Sequence, residues 1–208
     1  LAGAVLALQK SSIKPENGFT ERDQRVWQAA LLSTLGKVDR PEALSILKGA
    51  LEDSATPLDS VGAAARAVAT QAKPQSTEIL KKALTIQSAR GYAFRYVTEL
   101  SFGALATPQA AEELRVILSQ PNAELAGKIG GLVAHNEILR SSTEWSAVLK
   151  DFIIENKIHG DEVKSRLLQT VEELKTPAVE NLSKAVATQT TSLRLRDQAE
   201  KILQKNFS

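Results

Sequence analysis

PEALSILKGALED, residues 41–53, reads as one amphipathic helix, with Pro41 in its first turn and Leu47, Ala50 and Leu51 on one side. Near-copies of it return along the chain. They are PQSTEILKKALTI from Pro74, PQAAEELRVILSQ from Pro108, STEWSAVLKDFII from Ser142 and PAVENLSKAVATQ from Pro177. In register, one leucine recurs at Leu47, Leu80, Leu114, Leu149 and Leu182, with steps of 33, 34, 35 and 33. A second apolar column falls four residues later at Leu51, Leu84, Leu118, Ile153 and Val186, and a third at Ala50, Ala83, Ile117, Phe152 and Ala185. A fixed period of this size is the signature of a stacked repeat, in which no unit can bury its apolar face alone.

Each copy carries a second helix after a short turn. Thr56-Pro57, Ser88, Asn122, Gly160-Asp161 and Thr191-Ser192 open these helices, and Thr107-Pro108 and Thr176-Pro177 cap first helices. Upstream, TERDQRVWQAALLSTLG (20–36) reads as the second helix of a copy whose first helix is the opening LAGAVLALQK, with Leu1, Val5 and Leu8 on one face. That opening also has about the length of a signal-peptide apolar region, although no basic stretch precedes it. SSIKPENGF (11–19) is the longest expected loop. The expectation is an all-α chain of about twelve helices in roughly six pairs, a single domain over 1–208 and a piece of a longer or processed chain.

Two repeat families have this period. Tetratricopeptide repeats need a small residue just inside the first helix, whereas here the residue after the anchor leucine is Lys48, Lys81, Arg115, Lys150 or Ser183. EALSILKGALEDSATPLDSVGAAARAVA instead resembles the HEAT pattern of a Leu-rich first helix, an acidic turn and a Val- and Ala-rich second helix. RDQRVWQAALLSTLG resembles a HEAT second helix at Asp23, Arg25, Val26, Ala29, Ala30, Leu35 and Gly36. Later copies depart from it: the Arg is displaced in SARGYAFRYV and absent from its place in AELAGKIGG. The resemblance implies a right-handed α-α superhelix, HEAT/armadillo-like, whose second helices line a concave face.

The chain of 208 residues has 26 basic and 24 acidic side chains, so no strong basic excess marks it as a nucleic-acid binder. Aromatics make up 4%, which leaves the core to Ala, Leu, Val and Ile. With no cysteine, disulfides, thiolate zinc sites and cysteine nucleophiles are excluded, and the compartment stays open. The two histidines suggest no ligand set. In HGDE (159–162) the candidate ligands are adjacent rather than three or four apart, and Gly160 with Asp161 reads as a turn and helix start. His135 reads as a satisfied, partly buried histidine. GKIGG (127–131) follows no strand, so it reads as close helix packing or a local weakening of roughly 1 kcal/mol per Gly. The sequon at Asn181 holds the core-column Leu182, which argues against glycosylation there. The basic column Lys48, Lys81, Arg115 and Lys150 reads as a solvated face.

The stretch RGYAFRYVTELSF (90–102) supplies four of the aromatics. Phe94, Val97 and Leu100 are expected to face the core, leaving Tyr92, Arg95, Tyr96 and Glu99 as a partner-binding stripe, because exposed Tyr and Arg are enriched at hot spots. Trp27 and Trp145 are expected in the core. The function this implies is a non-catalytic protein- or peptide-interaction scaffold using the second-helix face, with no catalytic residue, metal or cofactor and no membrane span. The alternatives are a nucleic-acid or phosphate-binding solenoid, as in a HEAT-like class of DNA glycosylases, and an enzyme built on the scaffold. The first alternative gains if Arg66, Arg95, Lys128, Lys164, Arg166, Arg194 and Arg196 converge on one surface.

Overall fold

In a computed structural model of the chain, residues 20–105, 107–135 and 142–207 are described. The opening LAGAVLALQK and the loop SSIKPENGF lie outside them. Among the described residues all regular structure is helical. The helices are α1 (Glu21–Leu35), α2 (Pro41–Glu52), α3 (Leu58–Gln71), α4 (Ser76–Ser88), α5 (Tyr92–Phe102), α6 (Pro108–Leu118), α7 (Ala123–His135), α8 (Thr143–Glu155), α9 (Asp161–Glu172), α10 (Pro177–Gln189) and α11 (Leu193–Phe207). None is long and apolar enough to cross a membrane.

The chain falls into two compact units, Leu1–Phe102 and Gly103–Ser208. In the first, α1, α3 and α5 pack in succession as second helices, while α2 packs on α4, and the pairs α2/α3 and α4/α5 join the layers. In the second unit, α6, α8 and α10 form the first-helix layer and α7, α9 and α11 the second, with α10 and α11 paired. Each unit is thus a two-layer stack of helix hairpins, the helical repeat that the period implies.

The repeat columns build the core. All three are buried, except that Leu84 and Ala185 are half-buried. Small residues bring helices close: a Cβ on Gly36 would stand 2.9 Å from Ala67 Cα. Start signals act as their chemistry dictates. Thr107 and Thr176 accept from the backbone N–H groups of Ala110 (3.1 Å) and Val179 (3.4 Å), and Thr20 forms a capping box with Asp23. These hydrogen bonds from Thr20 hold the Asp23 carboxyl below its usual range.

The two tryptophans differ. Trp145 is fully buried and its indole N–H donates to Leu105 O at 3.0 Å, as a buried indole requires. Trp27 is not core: it is 57% exposed beside Val26, because α1 turns Leu32 and Leu35 inward instead. Helix α5 is also rotated from expectation. Its buried face is Thr98, Glu99, Ser101 and Phe102, whereas Phe94, Val97 and Leu100 are half-buried. Thr98 and Ser101 can turn inward because each hydroxyl donates to its own helix, to Phe94 O and Val97 O. Phe94 is covered from outside by the Arg90 guanidinium, 3.7 Å from the ring centroid.

One contact recurs at the repeat spacing. The last carbonyls of a helix have no partner inside that helix. Here a side-chain amide from the same end of the next helix in the layer supplies one. Gln71 donates to Leu35 O at 2.9 Å, Gln87 to Leu51 O at 2.6 Å, Asn156 to Leu118 O at 3.5 Å and Asn206 to Glu172 O at 3.2 Å. Gln87 also accepts from Arg90 (2.7 Å), whose other arm donates to Thr56 O at 2.7 Å. Gln87 is completely buried, so Gln87→Leu strands a buried carbonyl. It should cost about 1–3 kcal/mol, read as a Tm lowered by several degrees, while Gln189→Leu on the exposed end of α10 stays within about 0.5 kcal/mol.

Candidate functional site

The second unit has a groove of about 930 Å³ between α7 and α9, two neighbouring second helices. Its shape follows from the glycines of α7. A Cβ on Gly130 would fall 1.8 Å from Leu167 Cδ2, so Gly130 is where the two helices touch. Gly127 lines the groove, and a Cβ there would meet nothing within 4 Å. One glycine lets the helices approach and the other leaves space beside that contact.

The walls carry ordered charge. On α7, Lys128 pairs with Glu124 at 3.0 Å; on α9, Arg166 pairs with Glu162 at 2.5 Å. Both are i,i+4 pairs on side chains that are more than half exposed, so neither contributes more than about 1 kcal/mol. Gln169, Thr170 and Glu173 complete the polar lining, and Ala123 and Val163 are its apolar members. Three carboxylates face two cations.

Two other second-helix cations of this unit, Lys164 and Arg196, are committed elsewhere. Lys164 is buried; its ammonium donates to Asn156 O, and burial pushes its pKa down while Asp161 opposes the shift. Arg196 donates to Thr190 O at 3.1 Å. Of the cations named for a phosphate track in this unit, Lys128 and Arg166 line the groove, each paired with a carboxylate, while Lys164 and Arg196 are bonded to backbone carbonyls.

The residues singled out on α5 occupy different environments. Tyr92 is 58% exposed, Arg95 and Tyr96 are half-buried, and Glu99 is 1% exposed. Arg95 Nε donates to Glu99 Oε1 at 2.5 Å, and the two tyrosine rings stand 5.6 Å apart. The stripe is continuous along the helix, but its acidic end turns into the protein. In the basic column, Lys48, Lys81 and Arg115 are exposed and Lys150 is half-buried, Arg115 is held by Glu112 and Asp151, and Ser183, at the same place in the fifth copy, is buried.

His159 is buried. Its Nε2–H donates to Gln120 O at 2.9 Å, since a carbonyl can only accept, and the ring lies 5.1 Å from Phe152. Gly160 is the N-cap of α9, with Asp161 and Glu162 in the first turn. The side chain of His135 lies outside the described residues. Among the described residues no three His, Asp or Glu side chains are grouped to hold a metal ion.

Of the groove residues, Lys128 and Arg166 are named from the sequence only as candidates for a basic surface and Gly127 only within GKIGG; the groove itself is not read from it. Their signal was there: ELAGK (124–128) and EVKSR (162–166) repeat an acid-to-base i,i+4 spacing in consecutive second helices. What hides the groove in the sequence is that the glycines of GKIGG divide their roles, and only packing shows which one touches Leu167.

No family model matches the chain, and no curated protein matches it. Among solved structures, human deoxyhypusine hydroxylase in complex with glycerol is similar at 15% identity, over 98% of this chain and 96% of that one, with a TM-score of 0.38. That protein is an enzyme. The expectation of a non-catalytic scaffold gripping a protein or peptide along the second-helix face is corrected accordingly.

The two glycines should respond oppositely to one methyl group. Gly127→Ala gains helix propensity in open space and should raise stability by up to about 1 kcal/mol. Gly130→Ala drives into Leu167 and should lower it by about 1–3 kcal/mol. Thermal melts of the two variants measure both.

Proposed function

We propose that the chain is a HEAT-like repeat protein, one domain over residues 1–208, that binds a small polar ligand carrying charge of both signs in the α7/α9 groove. The observation that carries this reading is the matched pair of salt bridges, Glu124–Lys128 and Glu162–Arg166, flanking open space over Gly127. Opening two exposed ion pairs costs little, and each then offers an acceptor and a donor to a ligand that carries the complementary pair. The volume of about 930 Å³ lies in the range of small-ligand sites.

Two features support a small zwitterion over other occupants. The lining has three carboxylates against two cations, which repels a phosphate backbone. Its apolar members are small, so it lacks the deep anchor pockets that an amphipathic peptide helix requires.

The reading is tested by ligand-observed NMR and calorimetry with a panel of free α-amino acids, betaines and inorganic phosphate. A zwitterion should bind the wild type. Gly127→Trp, which fills the groove from a position with room for a side chain, should weaken that binding at least about tenfold, a loss of roughly 1.4 kcal/mol. Lys128→Ala/Arg166→Ala should weaken it too. Phosphate binding that falls steeply with salt, without zwitterion binding, would sink the proposal.

A further inference from the structure

The α7/α9 groove is longer on one wall than on the other. On α7 the described lining runs only from Ala123 to Lys128, whereas on α9 it runs from Glu162 to Glu173, about three turns. Along α9, Glu162, Arg166, Gln169, Thr170 and Glu173 have the spacing of a single helix face. The polar groups on that face are not equally committed. Arg166 uses one nitrogen in its bond to Glu162, so the rest of its guanidinium fork still has N–H groups to give. Gln169, three residues on, makes no hydrogen bond among the described residues.

At the far end, Glu173 has no ion pair of its own among the described residues. Lys205 is bound to Glu172 at 2.8 Å, and Glu173 is the weaker of the two anions acting on it. Glu173 is also the C-cap of α9, where the helix dipole adds to its negative charge. Between the two ends the Thr170 hydroxyl is committed to Arg166 O at 2.7 Å. The face thus offers a donor fork, then a stretch that asks for no ion, then a carboxylate at a helix C-terminus.

We propose that the ligand of this groove is an elongated zwitterion, a carboxylate and an ammonium at opposite ends of a chain of about five methylenes. The proposal rests on the zwitterion reading of the groove and fixes the distance between the charges. The ligand carboxylate takes the remaining N–H groups of Arg166 and the amide of Gln169, without opening the Glu162–Arg166 pair, and the ammonium meets Glu173. Arg166 and Glu173 stand two turns apart, about 10 Å along the axis. Side chains leaning toward each other bring this to the roughly 7 Å that six bonds of extended chain span. An α-amino acid, whose charges sit on adjacent carbons, reaches only one end. A cation held by Glu124 or Glu162 instead would have to displace Lys128 or Arg166.

The test is calorimetry on the full 208-residue chain with glycine, 4-aminobutyrate, 6-aminohexanoate and hexanoate. 6-Aminohexanoate should bind about fivefold more tightly than glycine or hexanoate, the scale of one exposed ion pair, with 4-aminobutyrate in between. Glu173→Gln, at an exposed position, should remove that advantage and leave both the affinity for glycine and the melting temperature unchanged. Equal binding of glycine and 6-aminohexanoate, or an advantage that survives Glu173→Gln, would overturn the proposal while the zwitterion reading stands. Hexanoate binding as tightly as 6-aminohexanoate, or no binding anywhere in the series, would remove both.

Discussion

The structure depends on how helix ends are satisfied across repeats. Every helix leaves carbonyls at its C-terminus, and a stack buries many of those ends where water cannot serve them. Here Gln71, Gln87, Asn156 and Asn206 reach back to the same end of the preceding helix in their layer. The contact occurs in both layers and in both units, so it belongs to the repeat rather than to one hairpin. It also answers a problem that composition creates. A core of Ala, Leu and Val is slippery, because small apolar side chains tolerate sliding of one helix on another. An amide that must find one carbonyl has a single register, so apolar burial supplies the attraction and the polar contacts choose the alignment.

The same logic explains why polar residues lie inside α5. Thr98 and Ser101 bond to their own helix and then pack as small side chains. Glu99 has a partner inside because Arg95, one turn earlier and partly exposed, donates to it. Arg90 links three pieces of the first unit: it holds Gln87, bonds the carbonyl of Thr56 after α2, and lies on Phe94 at the start of α5. A basic side chain beside an aromatic here closes the hairpin between α4 and α5, which is why the face of α5 cannot be read from its apolar residues alone.

The sequence makes the period, the helix pairs and the anchor columns legible, because each rests on burial repeated five times. Thr107-Pro108 and Thr176-Pro177 are legible for a local reason: cap chemistry needs no knowledge of neighbours. Rotations are less legible. Phe94 and Glu99 differ from their expected environments because Arg90 and Arg95 alter what each face can tolerate, and those contacts form only in the fold. Trp27 has helical spacing on an apolar pattern and yet lies outside the described core, because periodicity identifies an apolar face without saying which element covers it. The groove was hidden for a related reason. Three glycines in five residues look alike in sequence, and only the position of Leu167 separates the one that touches from the one that leaves space.

The groove and the stack make opposite demands on α7. Stacking requires α7 to lie close to α9, which Gly130 permits, while a binding site requires the same helices to stand apart nearby. A glycine at one position and an open glycine three residues earlier satisfy both within a single turn. The salt bridges along this space add little to stability, since their side chains are more than half exposed. Their positions therefore carry more information than their energies. Charges that contribute little to folding, arranged in parallel on two adjacent helices beside Gly127, can be rearranged at little cost to the stack, and the proposed ligand would gain contacts the folded chain does not need for itself.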